Sequence, residues 1–128
     1  MNNLLNKQIF IVDDDPFWSS ILHQILTELG YANILLYENG NDCMSNLHLN
    51  PDIIFLDYQM EGFDGLEVLK QIKSVNENIE VIFNTSIEDL NVAMNAITLG
   101  SFEYLLKGNA TKKDVQKIIE NTFNKKLQ

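Results

Sequence analysis

Ile9-Phe10-Ile11-Val12-Asp13-Asp14-Asp15-Pro16 is the stretch on which the fold turns. Four consecutive apolar residues stop abruptly at three carboxylates, and a proline follows. An apolar run without polar alternation reads as a strand buried on both faces, as in a parallel sheet covered by helices. Asp15 then reads as a helix N-cap and Pro16 as the first helical residue, where the missing N–H costs nothing. A strand that ends in acids and turns directly into a helix is one βα unit.

The same pattern recurs along the chain. Ile34-Leu35-Leu36-Tyr37, Ile53-Ile54-Phe55-Leu56, Val81-Ile82-Phe83 and Phe102-Glu103-Tyr104-Leu105-Leu106 read as four further strands. Helical spacing fills the intervals. Trp18, Ile21, Leu22, Ile25, Leu26 and Leu29 share one face, and Gly30 stops that helix. The stretch 40–47 is a weaker helix. Leu66, Leu69 and Ile72 follow Asp64 as a cap, and Leu90, Ala93, Met94 and Ile97 run to a stop at Gly100. Val115, Ile118, Ile119, Thr122 and Phe123 follow a capping-box variant, Thr111 with Asp114. Five βα units predict an α/β fold, a doubly wound five-stranded parallel sheet with five flanking helices, flavodoxin-like.

A length of 128 residues, 45% hydrophobic and 21% charged, suits one globular domain over residues 1–128, with no effector domain expected. The net charge of −9 argues against direct nucleic-acid binding, which needs clustered cations. All nine cations are lysines, and six of them lie from Lys107 onward, which reads as a solvated helix face. The lone Cys43 excludes a disulfide framework and suits a reducing compartment. No apolar run reaches membrane-spanning length and the first residues carry no leader pattern, so a cytoplasmic location away from membranes is expected.

In a doubly wound sheet the ligand crevice lies at the carboxyl ends of the strands, where the strand order reverses. Asp13, Asp14 and Asp15 end the first strand, Asp57 the third, Thr85 and Ser86 the fourth, and Lys107 the fifth. Crowded carboxylates raise one another's pKa or recruit a cation. Mg²⁺ is the physical match, because it takes one or two carboxylates and completes its shell with water and phosphate oxygens. Lys107 adds a positive charge for a phosphate and Thr85 a neutral donor. Asp15 is read as a cap rather than a metal ligand. The set fits a carboxylate nucleophile that accepts a phosphoryl group.

On these residues, taken together and in order, the sequence resembles a response-regulator receiver domain of two-component signalling. The carrying features are Ile11-Val12-Asp13-Asp14, Leu56-Asp57 with Met60, Asp64 and Gly65, Thr85-Ser86, and Tyr104 with Lys107. The resemblance implies that Asp57 is the phosphoacceptor and that Mg²⁺ is held by Asp13, Asp14, Asp57 and the Gln59 backbone carbonyl, Asp13 mainly through water. It further implies that Thr85 and Lys107 bind the phosphoryl group and that Tyr104 is an aromatic switch. The switch would reshape the face made by the Leu90–Ile97 helix, the last strand and the last helix. Implied partners are a sensor histidine kinase or phosphotransfer protein, then a downstream protein or an effector on a longer chain, with homodimerisation through the same face.

Two positions depart from the family pattern. Glu61 stands after Met60 where receivers usually carry Pro, and Gly108 follows Lys107 where a cis-linked Pro is usual. A cis bond to a non-proline residue costs about 2.5–4 kcal/mol, so the expectation is a trans Lys107–Gly108 bond with the following loop rerouted or mobile. Gln59 and Ile87 would flank the acyl phosphate, and apolar Ile87 would restrict the attacking water. Two other readings stand beside this one. One is a receiver-like interaction module that no longer uses phosphate; the other is a phosphohydrolase with its aspartyl nucleophile in the first strand, reading Asp13 and Asp15 as its motif.

Overall fold

The computed structural model describes residues 3–60, 63–85, 98 and 103–126. Five strands form one parallel sheet: β1 (Ile9–Val12), β2 (Ile34–Tyr37), β3 (Ile53–Asp57), β6 (Glu80–Thr85) and β7 (Glu103–Leu106). Two short strands, β4 (Gln59–Met60) and β5 (Phe63–Asp64), pair antiparallel just beyond β3. The described helices are α1 (Pro16–Glu28), α2 (Gly40–Ser45), α3 (Gly65–Val75) and α4 (Lys112–Lys126). The order β2-β1-β3-β6-β7 is the doubly wound, flavodoxin-like arrangement that the βα alternation predicts. Glu61, Ser86, Ile87, Phe102 and the stripe Leu90, Ala93, Met94 and Ile97 with its Gly100 stop lie outside the described residues.

Strand alternation sorts the core into two layers. On one side Ile9, Ile11, Ile53, Phe55, Ile82 and Leu105 meet Trp18, Leu22 and Leu26 of α1 and Val115, Ile119 and Phe123 of α4. On the other, Phe10, Val12, Ile54, Leu56, Val81 and Phe83 meet Cys43 of α2 and Val68, Leu69 and Ile72 of α3. The three central strands are therefore buried on both faces. The two outer ones are not. Leu35 and Leu36 of β2 are 39% and 45% exposed, which corrects the expectation that this run is covered on both sides. β2 stands at the end of the strand order, so one of its flanks has no neighbour to lengthen the cover. β7, at the opposite end, is only half buried along most of its length.

Local chemistry starts and stops the helices as the sequence indicates. The Asp15 carboxylate accepts from the Phe17 N–H, with Pro16 in the first turn. Past the end of α1, Gly30 adopts φ +105°, the left-handed region, which a side chain would strain. Asp64 accepts from the Leu66 N–H at the start of α3. Thr111 and Asp114 cap α4 reciprocally: the Asp114 N–H donates to the Thr111 hydroxyl, and the Thr111 N–H to the Asp114 carboxylate.

Cys43 is wholly buried in the α2–α3 layer, and burial pushes its thiol up to about 12. At pH 8, alkylation of the native protein should run at least about a hundredfold slower than alkylation of the urea-unfolded chain, because the thiolate is the nucleophile. Between the ordinary thiol range and about 12, the unfolded chain releases a proton that the folded chain keeps, so stability falls as pH rises across that window. Equal labelling rates in the two states would refute this.

Candidate functional site

The strand order reverses between β1 and β3, which is where a doubly wound sheet opens its crevice. The register pairs Val12 with Leu56, so the next residues, Asp13 and Asp57, emerge side by side at the carboxyl edge. Both are buried, whereas Asp14 is exposed. One carboxylate oxygen from each of the three lies within 4.8 Å of the others.

Two contacts fix the buried pair. Asp13 Oδ1 accepts from the Asp15 N–H at 2.9 Å, tying the acid to the turn that starts α1. Its Oδ2 pairs with Lys107 Nζ at 2.8 Å, and the same ammonium stands 3.3 Å from Asp57 Oδ1. The Lys107 side chain is only 16% exposed. Burial opposes its charge, but the hydrogen bond and charge of Asp13, then those of Asp57, outweigh the penalty and hold its pKa above the usual lysine range.

Lys107 reaches the site although Gly108 follows it. The described residues contain no cis peptide bond, so the Lys107–Gly108 link is trans, as expected. The segment that follows is a single 3-10 turn, Lys107–Asn109, that closes on Ala110. Among the described residues, chain neighbours aside, nothing lies within 4 Å of the position a Gly108 Cβ would take.

Asp13, Asp14 and Asp57 gather three carboxylates around the Lys107 ammonium at the mouth of the crevice. A hard divalent cation would neutralise the carboxylates, and octahedral Mg²⁺ with bonds of about 2.1 Å places opposite ligands about 4.2 Å apart. The carboxylate spacing is within a small adjustment of that, so the residues fit the ion. Gln59 lies two positions beyond Asp57, at the start of the β4–β5 hairpin.

The remaining predicted residues occupy the same edge. Thr85 is buried at the end of β6, directly after Asn84, the residue in register with Asp57. Tyr104 is half buried against the α2–α3 layer, in register with Phe83 and thus two residues back from the Thr85–Leu106 pair. Asp15 caps α1, as expected.

Two polar groups escaped the sequence reading. Asn84 is fully buried, and neither its Oδ1 nor its Nδ2 has a hydrogen-bond partner; Trp18 Nε1 is likewise buried and unpaired. A buried polar group left unpaired costs about 1–3 kcal/mol. The signal was present: Asn84 interrupts the apolar run of β6 immediately before Thr85.

Comparison with known proteins agrees with this geometry. The family described as response regulator receiver domain matches residues 9–120. Sporulation initiation phosphotransferase F of Bacillus subtilis is 30% identical over 105 residues, which cover 81% of this chain and 84% of that protein. The DNA-binding transcriptional regulator NtrC of Salmonella typhimurium is 37% identical over 100 residues. That match covers 77% of this chain and 21% of NtrC, so the chain spans about a fifth of that relative's length. Among solved structures, the CheX–CheY–BeF3–Mg complex of Borrelia burgdorferi superposes with a TM-score of 0.84 at 25% identity, covering 91% of this chain and 89% of the other.

Proposed function

Since the chain belongs to the response regulator receiver family of two-component signalling, we propose that it is a Mg²⁺-dependent phosphoacceptor module that takes a phosphoryl group on Asp57. The observation that carries this is the shared grip of Lys107 on Asp13 and Asp57 beside the three-carboxylate cluster. It supplies a nucleophile, a cation-binding set and a phosphate-pairing ammonium within one pocket.

In the proposed reaction an Asp57 oxygen attacks phosphorus and forms the acyl phosphate. The bond from phosphorus to the donor breaks, and a phosphohistidine donor leaves as imidazole, which takes up a proton. Asp13, Asp14, Asp57 and the Gln59 carbonyl would hold Mg²⁺, with Asp13 mainly through water, and the ion would neutralise phosphoryl charge. Lys107 would exchange its carboxylate partners for a phosphoryl oxygen, and Thr85 would donate to another. Hydrolysis returns the carboxylate: water attacks phosphorus and inorganic phosphate leaves. The chain would be a switch rather than an enzyme, catalysing only its own phosphorylation and dephosphorylation.

The output would be a population shift, with Thr85 drawn toward the phosphoryl group and Tyr104 swinging inward behind it. Both residues lie on neighbouring strands, which supports their coupling. The partners would be a histidine kinase or phosphotransfer protein upstream, and a downstream protein or an effector on a longer chain, with homodimerisation through the same face. Among the described residues no helix is long and apolar enough to cross a membrane, and a cytoplasmic location fits a kinase-fed receiver.

The test is incubation with Mg²⁺ and radiolabelled acetyl phosphate. Wild type should incorporate up to about one phosphoryl group per chain, and Asp57→Asn or excess EDTA should remove at least about 99% of it. Absence of labelling in wild type would favour an interaction module that does not use phosphate. Multiple turnover that depends on Asp13 but not on Asp57 would favour a phosphohydrolase.

A further inference from the structure

Asn84 is fully buried with both ends of its carboxamide unpaired, in the strand Glu80–Thr85, directly after the apolar Val81, Ile82 and Phe83. Its backbone is tied to the site, because its carbonyl accepts from the N–H of Tyr58, the residue after Asp57, at 2.9 Å. Its side chain lies on the Ile82 side of the sheet by alternation, the side on which Asp13 and Asp57 also fall. In register it stands between Asp57 of β3 and Leu105 of β7. Lys107 starts two residues beyond Leu105 and ends 3.3 Å from Asp57 and 2.8 Å from Asp13. Because β6 lies between β7 and β3, the lysine must cross the end of β6 to get there, and Asn84 stands one residue before that end.

An ammonium has three donors and no acceptor, and its present partners are the carboxylates a cation would claim. When the cation binds, the two positive groups compete for the same oxygens. We propose that Asn84 is a positioning residue whose carboxamide oxygen takes over the Lys107 ammonium when Mg²⁺ claims Asp13 and Asp57, keeping the lysine poised over the phosphoacceptor. The inference rests on the phosphoacceptor reading for its consequence, but its cation-binding arm does not. A neutral acceptor holds the ammonium without adding a charge, which explains why a polar side chain occupies a position that packing alone would fill with an apolar one.

Asn84→Thr and Asn84→Val test this, since the two replacements have nearly the same shape and differ in an acceptor hydroxyl. Without cation, Asn84→Val should melt at or above the wild-type temperature, because it removes an unpaired buried group. By calorimetry, its Mg²⁺ affinity should fall by about tenfold, as for other groups that orient a metal site from outside it, while Asn84→Thr should stay within about threefold of wild type. Initial labelling by acetyl phosphate at saturating Mg²⁺ should follow the same order. Opposite signs in stability and binding are what a purely structural role would not produce. Wild-type affinity and labelling in Asn84→Val would overturn the proposal, as would equal losses in both variants. If the affinities separate as expected while wild type takes no label, the role of Asn84 stands and the phosphoacceptor reading fails.

Discussion

Lys107→Ala is expected to lower stability by about 2–4 kcal/mol without divalent cation, a drop in Tm on the order of 10 °C for a chain of this size. The variant removes the ammonium that faces Asp13 at 2.8 Å and Asp57 at 3.3 Å, leaving buried carboxylates side by side. Breaking a buried ion pair by removing one partner costs about 3–5 kcal/mol; the exposed Asp14 and the open mouth of the crevice reduce that here. Two dependences identify the cause. Millimolar Mg²⁺ should restore much of the loss, since a cation held by the same carboxylates replaces the missing charge. The difference from wild type should also narrow as pH rises through the raised Lys107 value, because wild type then loses the same charge. In wild type the folded pKa of Lys107 is raised, so its contribution is fully present below the ordinary lysine value and is lost only as pH rises through the raised one. Thermal melts of both proteins with and without Mg²⁺ decide the matter. A Tm loss that Mg²⁺ leaves unchanged would show that Lys107 acts through packing and not charge.

Gly65→Ala should be the second large effect, and its cause is geometric. A Cβ at Gly65 would stand 2.8 Å from Tyr58 Cα, 2.9 Å from the Tyr58 carbonyl oxygen and 2.9 Å from Phe83 Cε1. Two of those atoms are backbone, so no rotamer change relieves them. Either the start of α3 or the peptide just after Asp57 must shift. Overpacking of this kind costs about 1–3 kcal/mol, more than the helix propensity that Ala would gain in a first turn. Because Tyr58 follows Asp57 directly, labelling should slow as well, by more than about tenfold if the carboxylate moves by as much as 1 Å. Gly108→Ala is the control, since among the described residues nothing but its chain neighbours lies within 4 Å of the added Cβ, and it should change stability by less than about 0.5 kcal/mol. Urea unfolding with parallel labelling assays measures both. Equal stabilities for the two variants would show that α3 yields without cost.

Much of this molecule was legible in the chain, for one reason: the signals were local. Asp15 with Pro16 and Gly30, Asp64, and Thr111 with Asp114 act on neighbours two to four residues away, so their geometry follows from spacing. The unbroken apolar runs at 9–12 and 53–56 marked two strands, and the aspartate that follows each marked the crevice. The register then carried Asp13 against Asp57 with nothing further required.

What the chain did not disclose depends on which strand lies beside which. Ile34-Leu35-Leu36-Tyr37 is as apolar as β1, yet it is an edge strand with Leu35 and Leu36 exposed, because strand order is set by pairings between distant segments. Gly65 matches the family motif in sequence, but only the approach of Tyr58 and Phe83 explains why a glycine is needed there. Asn84 shows in the sequence as a polar residue that ends the apolar run Val81-Ile82-Phe83; its lack of partners appears only once β3 and β7 enclose it. The sequence by itself determined the elements, their ends and the residues at the strand tips, because those follow from periodicity and short-range hydrogen bonds. The tertiary structure alone decided that Lys107 crosses from β7 to the Asp13–Asp57 pair despite a glycine after it, because that contact depends on the order of strands in the sheet and on the burial that makes an unpaired charge costly.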